Sequence, residues 1–236
     1  FPRLRLRARV RDHDVAERVG AVGDEEVRRF MHFINGFNQL FDGNNNEVIR
    51  NKYTEIKEFL ANKKEGDMDN RDILTIKGLI RRGEARTSCT FNQIPLSRCH
   101  FLDLPFYETG KIEKNPISEA DIEIVLKLLR EVQPHQIYVA GDLADPHGTH
   151  RVCTDAVFAA VDAEKENGAE WLKECRIWMY RGAWAEWEIE NIEMAVPFSP
   201  EELREKRNSI LKHQSQMESA PFLGNDERLF WQRSED

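Results

Sequence analysis

The stretch Gly141-Asp142-Leu143-Ala144-Asp145-Pro146-His147-Gly148-Thr149-His150 gathers two carboxylates and two imidazoles into ten residues. No other segment of the chain offers so many ligand types so close together. Two histidines three apart at a helix start can face the same way. Neutral imidazole binds zinc near neutral pH without a large pKa shift. Asp145, His147 and His150 would make a compact trio of one oxygen and two nitrogen ligands. A plainer reading uses the same residues: Asp145 or Thr149 caps the helix, and the histidines fill polar loop positions. Spacing alone leaves both readings open.

The flanking elements decide where such a loop would sit. Gln136-Ile137-Tyr138-Val139-Ala140 reads as a strand directly before it, and Thr149 to about Lys165 as a helix directly after it, ended by Asn167-Gly168. Arg176–Tyr180 is a further predicted strand. Upstream, His100–Leu104 is an apolar run that reads as a strand, ended by Pro105. Ser118 opens a helix whose buried face is Ile122, Val125, Leu126, Leu129 and Val132, stopped at Pro134. A fourth strand is expected within Ile189–Phe198. Ser199-Pro200-Glu201-Glu202 opens the last helix with a Ser cap, Pro in its first turn and Glu three after the cap. Alternation of strand and helix from about residue 100 to 180 predicts parallel βαβ units, hence an α/β, Rossmann-like sheet layered with helices. In such open sheets ligands bind beyond the carboxyl ends of the strands, which is where this loop would lie.

The first half reads as helical. Val27, Phe30, Met31, Ile34, Phe37 and Phe41 form a helix stripe over Asp24–Phe41, broken by Asp42-Gly43-Asn44-Asn45-Asn46. Glu47–Lys64 predicts a more polar helix. A third helix, capped by Asp69 or Asn70, runs through Ile73, Ile76, Leu79 and Ile80. Gly83 is expected to interrupt it before helix resumes over Glu84 to about Asn92.

The 236 residues suit one large domain with appendages, and 40% hydrophobic content suffices for a sizeable core. The net charge of −8 argues against a general nucleic-acid binder. Residues 1–11 carry five arginines and no acid, alternating with apolar residues; removing those five positive charges from −8 leaves −13 for the rest. The arm reads as an edge strand or a disordered arm; a nucleic-acid or anionic-surface contact is the sharper reading, which the acidic remainder disfavours. The four cysteines, Cys89, Cys99, Cys153 and Cys175, form no C-x-x-C pair and no disulfide framework. With no apolar run long enough for a membrane span and no signal-peptide pattern, the expected location is the cytoplasm. The five tryptophans, Trp171, Trp178, Trp184, Trp187 and Trp231, are expected mostly in packing, with a carbohydrate platform as the functional alternative.

Several segments in order carry a family resemblance. Arg82-Gly83-Glu84-Ala85 resembles an R-x-E-A helix start. Leu102-Asp103-Leu104-Pro105-Phe106-Tyr107 resembles a strand with a substrate-side turn. His147-Gly148-Thr149-His150 resembles a His-Pro-Asp-His metal motif with its two middle residues changed. Lys206, His213, Ser215 and Gln216 resemble a K…H-x-S-Q ending. Together, over roughly residues 22–220, they resemble the PIG-L/LmbE-type zinc-dependent N-deacetylases. More narrowly, they resemble the form found C-terminal to glucosamine-6-phosphate deaminase in bacterial fusion proteins, a subgroup that Arg181-Gly182-Ala183-Trp184 and the Trp231 region also fit. The resemblance implies zinc as the metal, His150 as a ligand and His147 as the histidine that polarises the amide carbonyl or stabilises the tetrahedral intermediate. It implies an N-acetyl amino-sugar substrate and an upstream sugar-phosphate deaminase domain, with neither membrane nor nucleic acid as partner.

One part of that family's pattern has no counterpart here. Its first motif, His-Pro-Asp-Asp-Asp/Glu after the first strand, supplies two zinc ligands and the general base, and nothing in residues 1–40 matches it. His13, between Asp12 and Asp14, reads as a solvated turn. The expected organisation is therefore an atypical segment over 1–21, with the first strand missing or altered by a truncation or a shifted reading frame. A deacetylase-like domain over 22–220 and a tail over 221–236 follow. As a catalyst the chain is expected to be incomplete. The alternative function is a non-catalytic sugar-binding or structural module beside a sugar-phosphate deaminase.

Overall fold

The computed structural model describes residues 33–41, 46–64, 66–107, 115–141, 143, 148–182, 187–217, 227–233 and 235. The arginine arm, His13, Val27, Phe30, Met31, Asp142, Asp145, His147 and Trp184 lie outside them. The chain divides into two compact units, residues 1–65 with 70–83, and residues 66–69 with 84–236.

In the first unit, residues 33–40 are helical (α1), followed by α2 (Asn46–Asn62) and the N-terminal part of α3 (Arg71–Phe91). Phe37, Ile56, Ile73 and Ile76, one or two from each helix, form its core. The aromatic residues of α1 repeat at four-residue spacing, so Phe33, Phe37 and Phe41 stack in a row with ring centroids 5.8 and 4.8 Å apart. Gly36 faces α3: a Cβ there would meet Ile76 at 3.5 Å, an ordinary van der Waals contact. Lys52 bridges Glu55 at 2.9 Å and Asp72 at 3.2 Å.

Asn70 caps α3, its side-chain oxygen accepting from Ile73 N–H at 2.9 Å. The expected break at Gly83 does not occur, and α3 is one continuous helix of 21 residues. A mid-helix glycine costs only about 1 kcal/mol relative to alanine. The flanking packing of Ile73, Ile76 and Ile80 and the buried Glu84 outweigh that. The helix stops at a left-handed residue, Gln93, with φ 60°. Gln93 N–H donates to Thr90 O and Ile94 N–H to Cys89 O, satisfying the last carbonyls.

The second unit holds α4 (Glu119–Val132), β1 (Gln136–Ala140), α5 (Thr149–Glu166), β2 (Arg176–Tyr180), α6 (Pro200–Ile210) and α7 (Phe230–Arg233). β1 and β2 pair in parallel, Gln136 opposite Arg176 through Ala140 opposite Tyr180, with α5 as the crossover. This is the βαβ unit that the alternation predicts. The core lies between α4 and α5. Val125, Leu126 and Leu129 pack on Ala156 and Ala160, whose small side chains, four residues apart, let the helices approach. Val132, expected on that face, is exposed because it is the last residue of α4, beyond the core. Arg130 on α4 reaches the buried Glu164 on α5 at 2.8 Å. Gly168 ends α5 at φ 72°, with Gly168 N–H on Lys165 O and Ala169 N–H on Glu164 O.

Two expected strands are absent among the described residues. His100–Leu104 is not a strand: Asp103 sits at φ 50°, which breaks an extended run, and Pro105–Tyr107 turns as a short 3-10 helix. Leu102 and Leu104 pack instead against the α4–α5 core. Ile189–Phe198 contains a 3-10 turn, Ile189–Asn191, and no paired strand. Among the described residues, no helix is long and apolar enough to cross a membrane.

Candidate functional site at the carboxyl end of the parallel strands

The carboxyl ends of β1 and β2 meet at Gly141, whose N–H donates to Tyr180 O at 2.9 Å and extends the pairing past Ala140. The Trp187 indole lies against this glycine. A Cβ on residue 141 would collide with Trp187 Nε1, lie 3.2 Å from Trp187 Cε2 and 2.8 Å from Tyr180 O. Backbone and aromatic ring thus approach more closely than any side chain permits. Gly141→Ala is expected to cost about 2 kcal/mol through this overpacking. Chemical denaturation of the variant beside the parent chain checks the loss.

Helix α5 begins just beyond. Gly148 precedes it in the left-handed region at φ 64°. Thr154, buried, donates its hydroxyl to Ala140 O at 3.1 Å and pins the helix to the end of β1. His150 lies one turn earlier on the same face of α5, and so on the side of the strand's carboxyl end. It is half-buried, with its Nδ1 shielded from solvent. The helix N-terminus adds a partial positive charge there. His150, expected from the sequence as a ligand, thus lies in the first turn of α5. Its companion His147 is not among the described residues, and neither are Asp142 and Asp145. Among the described residues, no group of three His, Cys, Asp or Glu side chains could hold a metal. One imidazole does not meet the usual three-ligand requirement of catalytic zinc, so the described residues do not amount to a zinc site.

The other motif segments make contacts within the fold. Glu84, fully buried, accepts from Ser215 N–H and from Ser215 Oγ, both at 2.7 Å. One turn on, Ser88 Oγ meets Ser209 Oγ at 2.8 Å, and Asn92 Nδ2 donates to Ser209 Oγ at 2.6 Å. The end of α3 is thereby sewn to α6 and to the turn after it. Glu84 and Ser215, 131 positions apart in sequence, are thereby in contact. His213 precedes the short 3-10 turn Gln214–Gln216 that presents Ser215. Lys206 lies 5.7 Å from the centroid of the Phe198 ring.

In the third segment, Phe106 is buried and its N–H donates to Asp121 Oδ1 at 2.9 Å. Asp121 also accepts from Ser118 N–H at 2.8 Å and Ser118 Oγ at 2.6 Å. Burial alone would raise this carboxyl's pKa. The Ser118 hydroxyl and the Phe106 and Ser118 amides outweigh it and hold the group below its usual range. The Ser118-x-x-Asp121 spacing signals a helix cap, but no local signal announces the bond from Phe106. The exposed Tyr107 ring stands edge-on to Phe106, with centroids 6.1 Å apart.

No family model matches the chain. A glucosamine-6-phosphate deaminase-like protein of Bacteroides thetaiotaomicron is 83% identical over 216 residues. The match covers 92% of this chain and 33% of that protein, so the chain spans about a third of its relative's length. No solved structure matches.

Proposed function

We propose that this chain is the scaffold and substrate side of a PIG-L/LmbE-type N-deacetylase domain. It would act on N-acetyl amino-sugars, within a longer protein that also has a glucosamine-6-phosphate deaminase-like region. One observation carries the reading. Glu84 of the Arg82-Gly83-Glu84-Ala85 segment and Ser215 of the Lys206–Gln216 segment meet across 131 positions of sequence through two hydrogen bonds. Two segments that resemble one family and also pair in space are a more specific signal than either alone. The parallel β1–α5–β2 unit supports a Rossmann-like sheet as the framework. The name of the long relative supports the amino-sugar context.

In this proposal His150 is a ligand position and zinc the metal. A zinc ion would supply electrophilic activation of the amide, and the chain's own contribution is to orient His150 through α5 and Thr154. His147 is proposed as the group facing the reacting carbonyl. The general base and the remaining ligands are not among the residues assigned here, so the chain alone is proposed to handle the sugar without hydrolysing it. A second reading, a non-catalytic sugar-binding or structural module, rests on the sequence, in which residues 1–40 hold no counterpart of the family's first metal motif.

The test is zinc content of the purified chain and of His150→Ala by elemental mass spectrometry, with acetate release from N-acetylglucosamine measured beside it. The expected result is weak zinc uptake that falls further in the variant, with no acetate released. Uptake indifferent to His150 would overturn its role as a ligand. Acetate release by the chain alone would overturn the incompleteness of its site.

A further inference from the structure

Two half-buried cysteines stand in contact at the end of α3. Cys89 lies in the last turn of α3, and Cys99 follows the 3-10 turn Leu96–Arg98. The helix stop at Gln93 reverses the chain between them, and Cys99 N–H closes the second turn on Leu96 O at 3.1 Å. The result is a sulfur–sulfur distance of 3.7 Å between residues ten apart in sequence. Both are thiols in this structure and both are half-buried rather than sealed in the core.

We propose that Cys89 and Cys99 are a modification site that forms a reversible intramolecular disulfide by exchange with a low-molecular-weight disulfide of the oxidised-glutathione class. This holds whatever the fate of the sugar-directed reading. In the first step the thiolate of one cysteine attacks a sulfur of the small disulfide. A mixed disulfide forms, and the expelled small thiolate takes up the proton that the attacking thiol lost. The second cysteine, deprotonated in turn, attacks the protein sulfur of the mixed disulfide. The Cys89–Cys99 bond forms, and the second small thiol leaves with the second proton. The protein loses two electrons and two protons, and the small disulfide gains them.

Closing the sulfurs from 3.7 Å to the covalent distance of about 2.05 Å needs side-chain rotation within a turn already folded back on itself. Burial, and then the contact with Cys99, push the Cys89 thiol above its ordinary value. Exchange through Cys89 therefore speeds up as pH rises, because the thiolate is the attacking form. The bond would brace the end of α3 that carries Ser88 and its contact to Ser209.

The experiment equilibrates the full chain in reduced and oxidised glutathione at about pH 8, where thiolates begin to populate. Acid quench, alkylation and peptide mass mapping follow, with Cys153 and Cys175 as internal references. The expected result is a linked Cys89–Cys99 peptide pair, two hydrogens lighter, resistant to alkylation and reopened by dithiothreitol. In Cys99→Ser the exchange is expected to stop at glutathione on Cys89. Alkylation of Cys89 and Cys99 to the same extent as Cys175 would overturn the proposal. So would glutathione retained on Cys89 of the parent chain as fully as in Cys99→Ser.

Discussion

Asp121→Ala is expected to remove about 4 kcal/mol of stability, because it strips the acceptor from three donors at once. The carboxylate is fully buried and takes the Phe106 amide, the Ser118 amide and the Ser118 hydroxyl. Ser118 sits at a helix start and can recover water. Phe106 is buried, and its amide is left without an acceptor. The variant therefore loses both the cap of α4 and the anchor of the Pro105–Tyr107 turn. Tryptophan fluorescence in a urea titration reads this directly, since all five tryptophans lie between residues 171 and 231, within the second unit.

The same residue sets a pH dependence. Its folded-state pKa is depressed, so its contribution is present above the unfolded value of about 3.9 and is lost as pH falls through the folded value. Glu202, held low first by the Ser199 amide and then by the Ser199 hydroxyl, loses its contribution in the same direction. Stability of the parent chain is expected to fall with pH below about 4, and the gap between it and Asp121→Asn to narrow there. A gap that stays constant from neutral pH into that acid range would show that Asp121 does not act as a buried carboxylate.

Ser215→Ala is expected to cost about 2 kcal/mol, because it removes one of the two donors that Ser215 gives to the buried Glu84 carboxylate. The exposed serine loses little on its own account; the penalty falls on the charge left behind. Glu84→Gln should cost a similar amount, since an amide cannot accept through both arms. The two changes act on one contact, so their combination is expected to fall short of the sum by about 1 kcal/mol or more. Additive losses in that double-mutant cycle would mean that the contact does not couple the two motif segments. The reading that joins them into one domain would then lose its main support.

Much of the local structure was legible in the residues themselves. Ser199-Pro200-Glu201-Glu202 predicts a capped helix, and Ser199 N–H donates to Glu202 Oε2 at 2.7 Å while Glu202 N–H donates to Ser199 Oγ at 3.2 Å. Asp69 and Asn70 both read as caps of α3, and Asn70 takes the role. The pair of strands with α5 between them follows from alternation over residues 136–180, bounded by Asn167-Gly168. Each of these depends on residues within a turn or two of one another. The misreadings have the opposite character. His100–Leu104 has the composition of a strand, but its leucines find a better partner in the α4–α5 core, and Asp103 turns the chain. Gly83 looks like a break, but α3 runs through it, with Ile73 and Ile76 in a core before it and Glu84 bonded to a distant partner after it.

For the candidate site, the sequence by itself determined that a ligand-rich loop lies between a strand and a helix and that His150 opens that helix. Periodicity and turn chemistry act over short stretches, and this is enough to place His150 in the first turn of α5. Only the tertiary structure decided that Gly141 must be glycine, because the Trp187 ring closes on it from 46 residues away. Only the fold brings Ser215 to Glu84, Phe106 to Asp121 and Cys99 to Cys89. Such contacts depend on chain closure and on what else competes for each group, and no local pattern of residues encodes either.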